Sequence, residues 1–355
     1  MSAVLTHPVP PPRQESPGLW TLAWRRLRQD AVGMVSLIVV AIFLLMMIAS
    51  YAGLIAKDWS KEKGVSYANP TFMAGAENLE AKALQQREAA KAPPVDLSDI
   101  DPLAPRYKEW EERAAKISIT ETKRSETLPL GGDKWGRDVL KKTIKGSETS
   151  IFVGIASALV ATFLGTAFGA LAGYYGKWVD DIFNWFYSVF SSIPYLLLVL
   201  AVAAVLQQKG VLTIILILGL TGWTGTFRLL RAEYLKHKAR EYVQAADALG
   251  ASNSRRMFVH IFPNVSHVVL VQMSILVVAF IKSEVILSFL GFGVPVDVVS
   301  WGSMLNEAQN ELILGKWWQL AAAGTAMAVL VTAFALFTDA LRDALDPKLK
   351  GRAGA

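Results

Sequence analysis

Long apolar runs dominate the pattern of residues along this chain. Six of them carry few charged residues or none, at 31–56, 149–176, 182–208, 210–227, 265–290 and 317–338. A helix rises ~1.5 Å per residue, so about 20 apolar residues cross the hydrocarbon core of a bilayer. The fourth run is near the lower limit of that length. The pattern predicts an all-α polytopic membrane protein with six transmembrane helices.

Two of these runs contain residues that predict a feature of the helix itself, either a kink or close packing against a neighbour. Pro194 predicts a kink in the third run, because proline lacks the backbone N–H and clashes with the preceding turn. The string GTAFGALAG at 165–173 predicts close helix packing in the second run, since small residues let helix backbones approach. The first run exceeds the ~7–15 residues of a signal-peptide core, so we interpret it as a retained span.

Polar segments separate the apolar runs. A Trp- and Arg-rich stretch at 18–30 predicts a short interfacial helix. The composition of the long insert predicts helices at 76–91 and 105–117 but indicates no function, and a partly ordered spacer is its plainest interpretation. The predicted organisation is a tail at 1–30, a span at 31–56, an insert at 57–148, a five-span core at 149–340 and a tail at 341–355.

The basic residues predict the orientation of the chain. They precede the first span, fill the loop 229–264 and follow the last span. With six spans these three regions share one side, which the positive-inside rule makes the cytosol. Both termini are therefore expected in the cytosol and the 57–148 insert outside it, because long loops cross a membrane largely regardless of charge.

The loop 229–264 carries an amphipathic pattern. Tyr242, Ala245, Ala246 and Leu249 fall at helical spacing and form one small apolar face. Gly250 follows them, where a left-handed residue often ends a helix. The residues after it can cap a second short helix, which Pro263 is predicted to end. This pattern favours either a docking element or an ordinary amphipathic cytosolic loop.

This loop resembles the EAA loop of ABC-importer permeases, whose pattern is Glu-Ala-Ala, three residues, Gly and a later Leu-Pro pair. The matching positions are Ala245, Ala246, Gly250 and Pro263. Two positions depart from the pattern, since Gln244 replaces the glutamate and Phe262 replaces the leucine. Five further strings resemble the "C" subunit of dipeptide and oligopeptide permeases: LGGDKWGRDVLKKTIKGSETS at 130–150, GYYGKWVDD at 173–181, SEVILSFLGFGVP at 283–295, SWGSML at 300–305 and LRDALDP at 341–347.

The resemblance implies a type I ABC importer permease in the inner (plasma) membrane of a bacterium. Such a chain binds no cofactor itself, because ATP and Mg act on partner subunits. The implied partners are a second homologous permease, two ATP-binding subunits and an extracytoplasmic substrate-binding protein. The implied ATPase-coupling residues are Glu241, Tyr242, Gln244, Ala245, Ala246, Leu249, Gly250 and Pro263. The subfamily carries di- and oligopeptides, and relatives carry nickel or other small solutes.

Polar residues inside the runs are candidates for the translocation path. Lys282 and Glu284 are costly at membrane depth, so they either line the path or its gate, or lie at headgroup level and snorkel. Their spacing of two places them on different helix faces. Tyr187, Ser191, Thr221 and Thr224 also suit a polar path.

Composition and motif content bear on the other functional classes to which the chain could belong. The chain has 53% hydrophobic residues, no cysteine and a net charge of +6 that clusters at span ends rather than forming a nucleic-acid surface. No Walker A string occurs, and none of the four histidines has an acidic partner at ligand spacing inside a run, so a membrane enzyme is disfavoured. An autonomous secondary transporter or channel is the other alternative, but it has no need of a docking helix.

Overall fold

A computed structural model describes residues 19–73, 101–115 and 124–345, and within them the chain is mainly helical. The helices are α1 (Leu19–Gln29), α2 (Ala31–Tyr51), α3 (Ala104–Ala115), α4 (Val139–Tyr175), α5 (Lys177–Ser191), α6 (Tyr195–Leu206), α7 (Val211–Thr221), α8 (Thr224–Lys238), α9 (Glu241–Ala248), α10 (Asn253–Phe289), α11 (Trp301–Ile313) and α12 (Trp318–Leu345). The strands are β1 (Gly64–Pro70) and β2 (Ser125–Leu128). The predicted helix at 105–117 is confirmed by α3, and the one predicted at 76–91 lies outside the described residues.

Four described helices are long and apolar enough to cross a membrane: α2, α4, α10 and α12. Two further pairs pass the same test together, α5 with α6 at a bend of 84° and α7 with α8 at a bend of 40°. If each bent pair crosses once, the number of spans is six, as predicted. The polytopic helical fold is therefore confirmed.

Several boundaries differ from those predicted. Pro194 lies between α5 and α6, so the predicted kink is confirmed and is a full break in the helix. α4 begins at Val139, within the polar segment assigned to the insert, where the side chain of Asp138 accepts a hydrogen bond from the N–H of Leu140 at 2.9 Å. The apolar run alone could not reveal this extension, because the first turns of α4 bury polar residues.

Glycines on one face of α4 allow it to pack closely against α8. Gly165, Gly169 and Gly173 are spaced four residues apart and so share this face. A β-carbon on Gly169 would lie 2.8 Å from the carbonyl oxygen of Phe227, and one on Gly173 would lie 2.6 Å from that of Arg231. A larger residue at either position would push the helices apart. The prediction of close helix packing from this glycine-rich string is confirmed.

The strands of the insert and the segment that leads into α4 form a small cap at one end of the bundle. We call this end of the bundle the insert end. β1 and β2 pair in parallel, with Asn69 opposite Thr127. After β2 the chain turns at Gly136, which has φ +75° and accepts hydrogen bonds through its carbonyl from the N–H groups of Lys63 and Gly64 at 3.0 and 2.8 Å. The strands were not predicted, because they are short and pair across a long stretch of sequence.

Lys142 is the centre of a buried polar cluster at the insert end. Its side chain is 1% exposed and donates to Asp133 at 2.9 Å, to Gln319 at 3.2 Å and to Glu307. Asp133 also accepts from Nε of Arg137 at 2.7 Å. Burial by itself would raise the pKa of Asp133, but the cations of Lys142 and Arg137 hold it below its ordinary value. The cluster joins the segment before α4 to α11 and α12.

Glu311 on α11 lies near this cluster. Its side chain is 2% exposed, and the carboxylate forms no ion pair among the described residues. Burial raises the pKa of Glu311 from 4.5 to about 7; Lys142 opposes this shift, and the carboxylates of Asp133 and Glu307 add to it. The folded protein thus binds this proton more tightly than the unfolded chain does. Stability contributed by protonated Glu311 is lost as the pH rises through about 7.

We expect the thermal unfolding temperature of the detergent-solubilised chain to be higher at about pH 6 than at about pH 8, on either side of the pKa of Glu311. Glu311→Gln should remove most of this difference, because the amide cannot ionise. Tryptophan fluorescence during heating measures it. The control is Asp297→Asn, which changes an exposed carboxylate and should keep the full difference. An unchanged pH dependence in Glu311→Gln would contradict the assignment.

Candidate coupling site

Two helical pieces, α9 and the start of α10, meet at Gly250. This residue has φ +78°, and a β-carbon added to it would have nothing within 4 Å. The left-handed backbone, rather than lack of space, therefore requires glycine here. Ser252 caps α10 by accepting a hydrogen bond from the N–H of Arg255 at 3.4 Å. The predicted turn at Gly250 and the cap after it are both confirmed.

One face of α9 is buried against the rest of the chain. Val243 and Ala246 are 3% and 8% exposed, and Val243 belongs to one hydrophobic cluster with Tyr234, Met257 and Ile261. The prediction that Ala246 shares one face with Tyr242, Ala245 and Leu249 is wrong, because Ala246 is buried while the other three are exposed. The helical-wheel argument left out Val243, whose larger side chain determines which face of α9 turns inward.

The opposite face of α9 is open. Tyr242, Ala245 and Leu249 are exposed, with Leu249 88% exposed. Glu241 and Gln244 are exposed beside them, and the Gln244 amide donates to a backbone carbonyl before the helix at 3.4 Å. We call these five residues the α9 surface. The α9 surface combines apolar side chains with one carboxylate and one amide. We call the end of the bundle that carries this surface the α9 end.

Tyr174 ties this segment to the end of α4. The side chain is 4% exposed, and its hydroxyl donates to Oδ1 of Asn253 at 3.0 Å. The backbone carbonyl of Tyr174 accepts from Nζ of Lys238 at 2.6 Å. The charged groups of Lys238 and Arg256 lie 5.3 and 5.8 Å from the ring centroid, within the range of cation–π attraction. One side chain thus contacts the end of α8 and the start of α10.

The beginning of α10 contains a π-helical segment, Arg256–Ile261. The N–H of Phe262 donates to the carbonyl of Met257, five residues earlier. Pro263 follows at the start of the regular α-helix, where its missing N–H is tolerated. The prediction that Pro263 ends the helix is wrong, because the wider π turn accommodates it. Such π segments are frequent at functional sites.

An ion pair fixes α5 to α8 near the same end. Arg231 Nε and Nη2 donate to the two carboxylate oxygens of Asp180 at 2.5 and 2.6 Å. This bidentate geometry fixes orientation as well as distance. A displacement of α8 would therefore be transmitted to α5 and, through the break at Pro194, to α6.

The four neutral polar candidates for the path occupy different environments. Tyr187 is half-buried and packs on Phe227, with ring centroids 5.6 Å apart. Ser191 is exposed just before the break in the third span, and Thr224 is half-buried at the start of α8. Thr221 is buried, and its hydroxyl donates to a carbonyl of its own helix at 2.6 Å. Their role in a path stays a prediction.

Glu284 and Lys282 lie on different faces of α10, as their spacing indicated. Glu284 is fully buried and accepts hydrogen bonds from Ser150 and Ser288, each at 2.7 Å. Ser150 in turn accepts from the N–H of Trp301 at 3.2 Å, so this carboxylate organises the start of α11. Glu284 does not snorkel, whereas Lys282 is exposed and forms no ion pair within the described part of the chain.

Sequence reasoning missed three residues that organise these sites. Tyr174, Lys142 and Ser150 sit in strings that were noted only for their resemblance or for their apolar character. The one available signal for Lys142 was a lysine within a few residues of the start of an apolar run. Tyr174 and Ser150 gave none, because their partners lie far away along the chain.

Comparisons with known proteins identify the family of this chain. The family described as "Binding-protein-dependent transport system inner membrane component" matches residues 165–351, and "N-terminal TM domain of oligopeptide transport permease C" matches residues 18–75. The chain is 38% identical to the dipeptide transport system permease protein DppC of Bacillus subtilis, over 66% of this chain and 73% of that protein.

Two further relatives cover more of the chain. The oligopeptide transport system permease protein OppC of Bacillus subtilis is 35% identical over 70% of this chain and 80% of its own length. DppC of Lactococcus lactis is 29% identical over 92% of this chain and 90% of its own length. The first family covers more than half of the chain. This protein therefore belongs to the family of binding-protein-dependent transport system inner membrane components.

Proposed function

We propose that this chain is one of two membrane subunits of an ATP-driven peptide importer. The observation that carries the proposal is the α9 surface, an exposed helix face with apolar side chains at the end of a membrane bundle. Relatives named as dipeptide and oligopeptide permeases support peptides as the cargo. Tyr242, Ala245 and Leu249 are exposed together on this face, and a contiguous exposed apolar area is typical of an interaction site, so the surface suits a docking ATPase subunit.

The contacts behind α9 supply a route for coupling. Its buried face packs on the cluster of Tyr234, Met257 and Ile261, which belongs to α8 and α10. A force applied to α9 therefore acts on two membrane helices at once, and through Tyr174 on α4. Coupling requires an element that can adopt two arrangements, and the nucleotide bound to the ATPase subunits must favour one of them over the other. The Gly250 turn and the π segment are the joints at which such a rearrangement would occur.

The proposal has a defined topology and set of partners. The α9 end faces the cytosol with both termini, and the insert end faces outward from the inner membrane of a bacterium. A second homologous permease completes the pathway, two ATP-binding subunits dock on the cytosolic side, and a substrate-binding protein docks outside. ATP and Mg belong to those partner subunits. The basic residues at the α9 end support this orientation.

Affinity purification of the chain from its native membrane tests this assembly. Recovery of an ATP-binding subunit and a homologous permease is the expected result. Recovery of the chain by itself, from membranes in which all the expected partners are present, would overturn the proposal.

Leu249→Asp should lower recovery of the ATPase subunit at least about tenfold, because it places a charge in the centre of the docking interface. Folding should be unaffected, since Leu249 is 88% exposed. Quantitative co-purification measures the effect. Leu314→Asp is the matched control, since it changes a leucine that is 59% exposed near the insert end and should leave ATPase recovery unchanged. Equal recovery with both variants would exclude Leu249 from the interface.

Gly250→Val should reduce peptide uptake by the reconstituted transporter several-fold while ATP hydrolysis continues. A β-branched residue at φ +78° costs about 1–3 kcal/mol, so the turn would rearrange and α9 would lose its position. Uptake and hydrolysis are measured in the same proteoliposomes. Gly315→Val imposes similar strain at φ +75° near the insert end and should preserve coupling. Tightly coupled transport in Gly250→Val would refute this role of the turn.

We further propose that Lys282 faces the pathway and that Glu284 is a positioning residue. Lys282→Ala should lower uptake without changing the unfolding temperature, because Lys282 is exposed and unpaired within the described residues. Glu284→Ala should lower the unfolding temperature by several degrees, since it removes the acceptor for Ser150 and Ser288. Uptake by Lys282→Ala equal to that of the unmodified transporter would exclude Lys282 from the pathway.

A further inference from the structure

α1 is attached to the bundle along one face only. Ala23 and Leu27 are each 5% exposed and belong to one cluster with Ala340, Ala344 and Leu345 at the end of α12. Because this face is packed, the orientation of the other faces of α1 relative to the bundle is also fixed. The helix lies across the end of α12 rather than continuing α2, from which it is separated by the capping residue of α2.

The opposite face of α1 carries aromatic and basic residues. Trp20 and Trp24 are 54% and 45% exposed, and Arg25 and Arg28 are exposed beside them. The guanidinium carbon of Arg28 lies 5.2 Å from the ring centroid of Trp24. Among the described residues, neither arginine pairs with a carboxylate. Tryptophan with arginine on one helix face is the combination that suits the headgroup region of a membrane.

An apolar groove of about 660 Å³ begins where α1 ends. It lies between α2 and α12, and six of its lining residues are Val32, Val35, Val39, Val329, Ala333 and Leu336. The Ser36 hydroxyl donates to carbonyls of its own helix at 2.8 and 2.9 Å, and Thr332 is the other polar residue of the lining.

The groove and the basic face share one end of the molecule. The first groove residue, Ala31, follows Arg28 after only Gln29 and Asp30. The Asp30 carboxylate accepts the N–H of Val32 at 3.0 Å and caps α2, which directs it toward the helix rather than toward the arginines. Around this end of the groove the four arginines Arg25, Arg26, Arg28 and Arg342 outnumber the three carboxylates of Asp30, Asp339 and Asp343, so the net charge beside the groove is positive. A molecule that fits it has an anionic head and a long hydrocarbon tail.

We propose that this groove binds one anionic diacyl phospholipid of the bilayer, with an acyl chain between α2 and α12 and the phosphate at Arg25 and Arg28. The bound lipid contacts both the start of the first span and the end of the last. It also contacts α1, so it joins three elements that meet at this end. This inference does not depend on the transported substrate or on the coupling mechanism.

Native mass spectrometry of the full chain in detergent tests the proposal. The chain is exposed to an equimolar mixture of phosphatidylglycerol and phosphatidylcholine, and retained lipid is identified after gentle activation. We expect phosphatidylglycerol to be retained in preference. The double variant Arg25→Ala/Arg28→Ala should reduce that preference about tenfold or more, because two charges near the headgroup are lost. Ala328→Phe, which fills the groove, should reduce retention of both lipids.

Two controls keep these outcomes distinct. Lys57→Ala/Lys61→Ala removes the same charge from exposed positions beyond the far end of α2, and Ala204→Phe enlarges an exposed residue of α6 outside the groove. Both should retain phosphatidylglycerol as the unmodified chain does. Equal retention of the two lipids by the unmodified chain, or an equal loss in the variants and their controls, would overturn the proposal. So would a change of oligomeric state in Ala328→Phe without loss of lipid, since a second chain would then occupy the groove.

Discussion

The close approach of α4 to its neighbours is the constraint on which the rest of the fold depends. Hydrocarbon provides no hydrophobic drive between helices, so membrane helices associate through packing and hydrogen bonds. Gly165, Gly169 and Gly173 bring the backbone of α8 within contact, and Gly154 receives Ile281 of α10. The two helices that lead into and out of α9 are therefore both held by α4. The segment that contains α9 is therefore anchored on both sides, because glycines on one face of α4 let its neighbours pack closely.

Buried polar side chains then fix the ends of the bundle. At the insert end, Lys142 joins the segment before α4 to α11 and α12, and Glu284 holds the start of α11. At the α9 end, Tyr174 and the Asp180–Arg231 pair hold the short helices. Removing one partner of such a group leaves the other unsatisfied, which is far more destabilising than a lost surface contact. These contacts hold α9 in a defined position relative to the bundle.

Predictions from sequence succeeded where the cause was local. Gly250 ends α9 in a left-handed conformation, and Pro194 breaks a helix; both are properties of one residue and its backbone. They failed where a neighbour decided the outcome. Ala246 turned inward because Val243 packs against α8 and α10, and Pro263 stayed inside a helix because a π turn preceded it. Neither cause can be read from spacing within the segment.

The sequence by itself determined the polytopic helical class, the positions of the apolar runs and the existence of a capped turn before the fifth span. Hydrophobic length and backbone conformation are sufficient for these, since they act over a few turns of chain. Only the tertiary structure decided which face of α9 is open, which titratable groups are paired and where α1 lies. Glu284 and Lys282 are two residues apart, yet Glu284 is buried and accepts hydrogen bonds from two serines, whereas Lys282 is exposed. Their environments differ because distant helices, not adjacent residues, supply the partners.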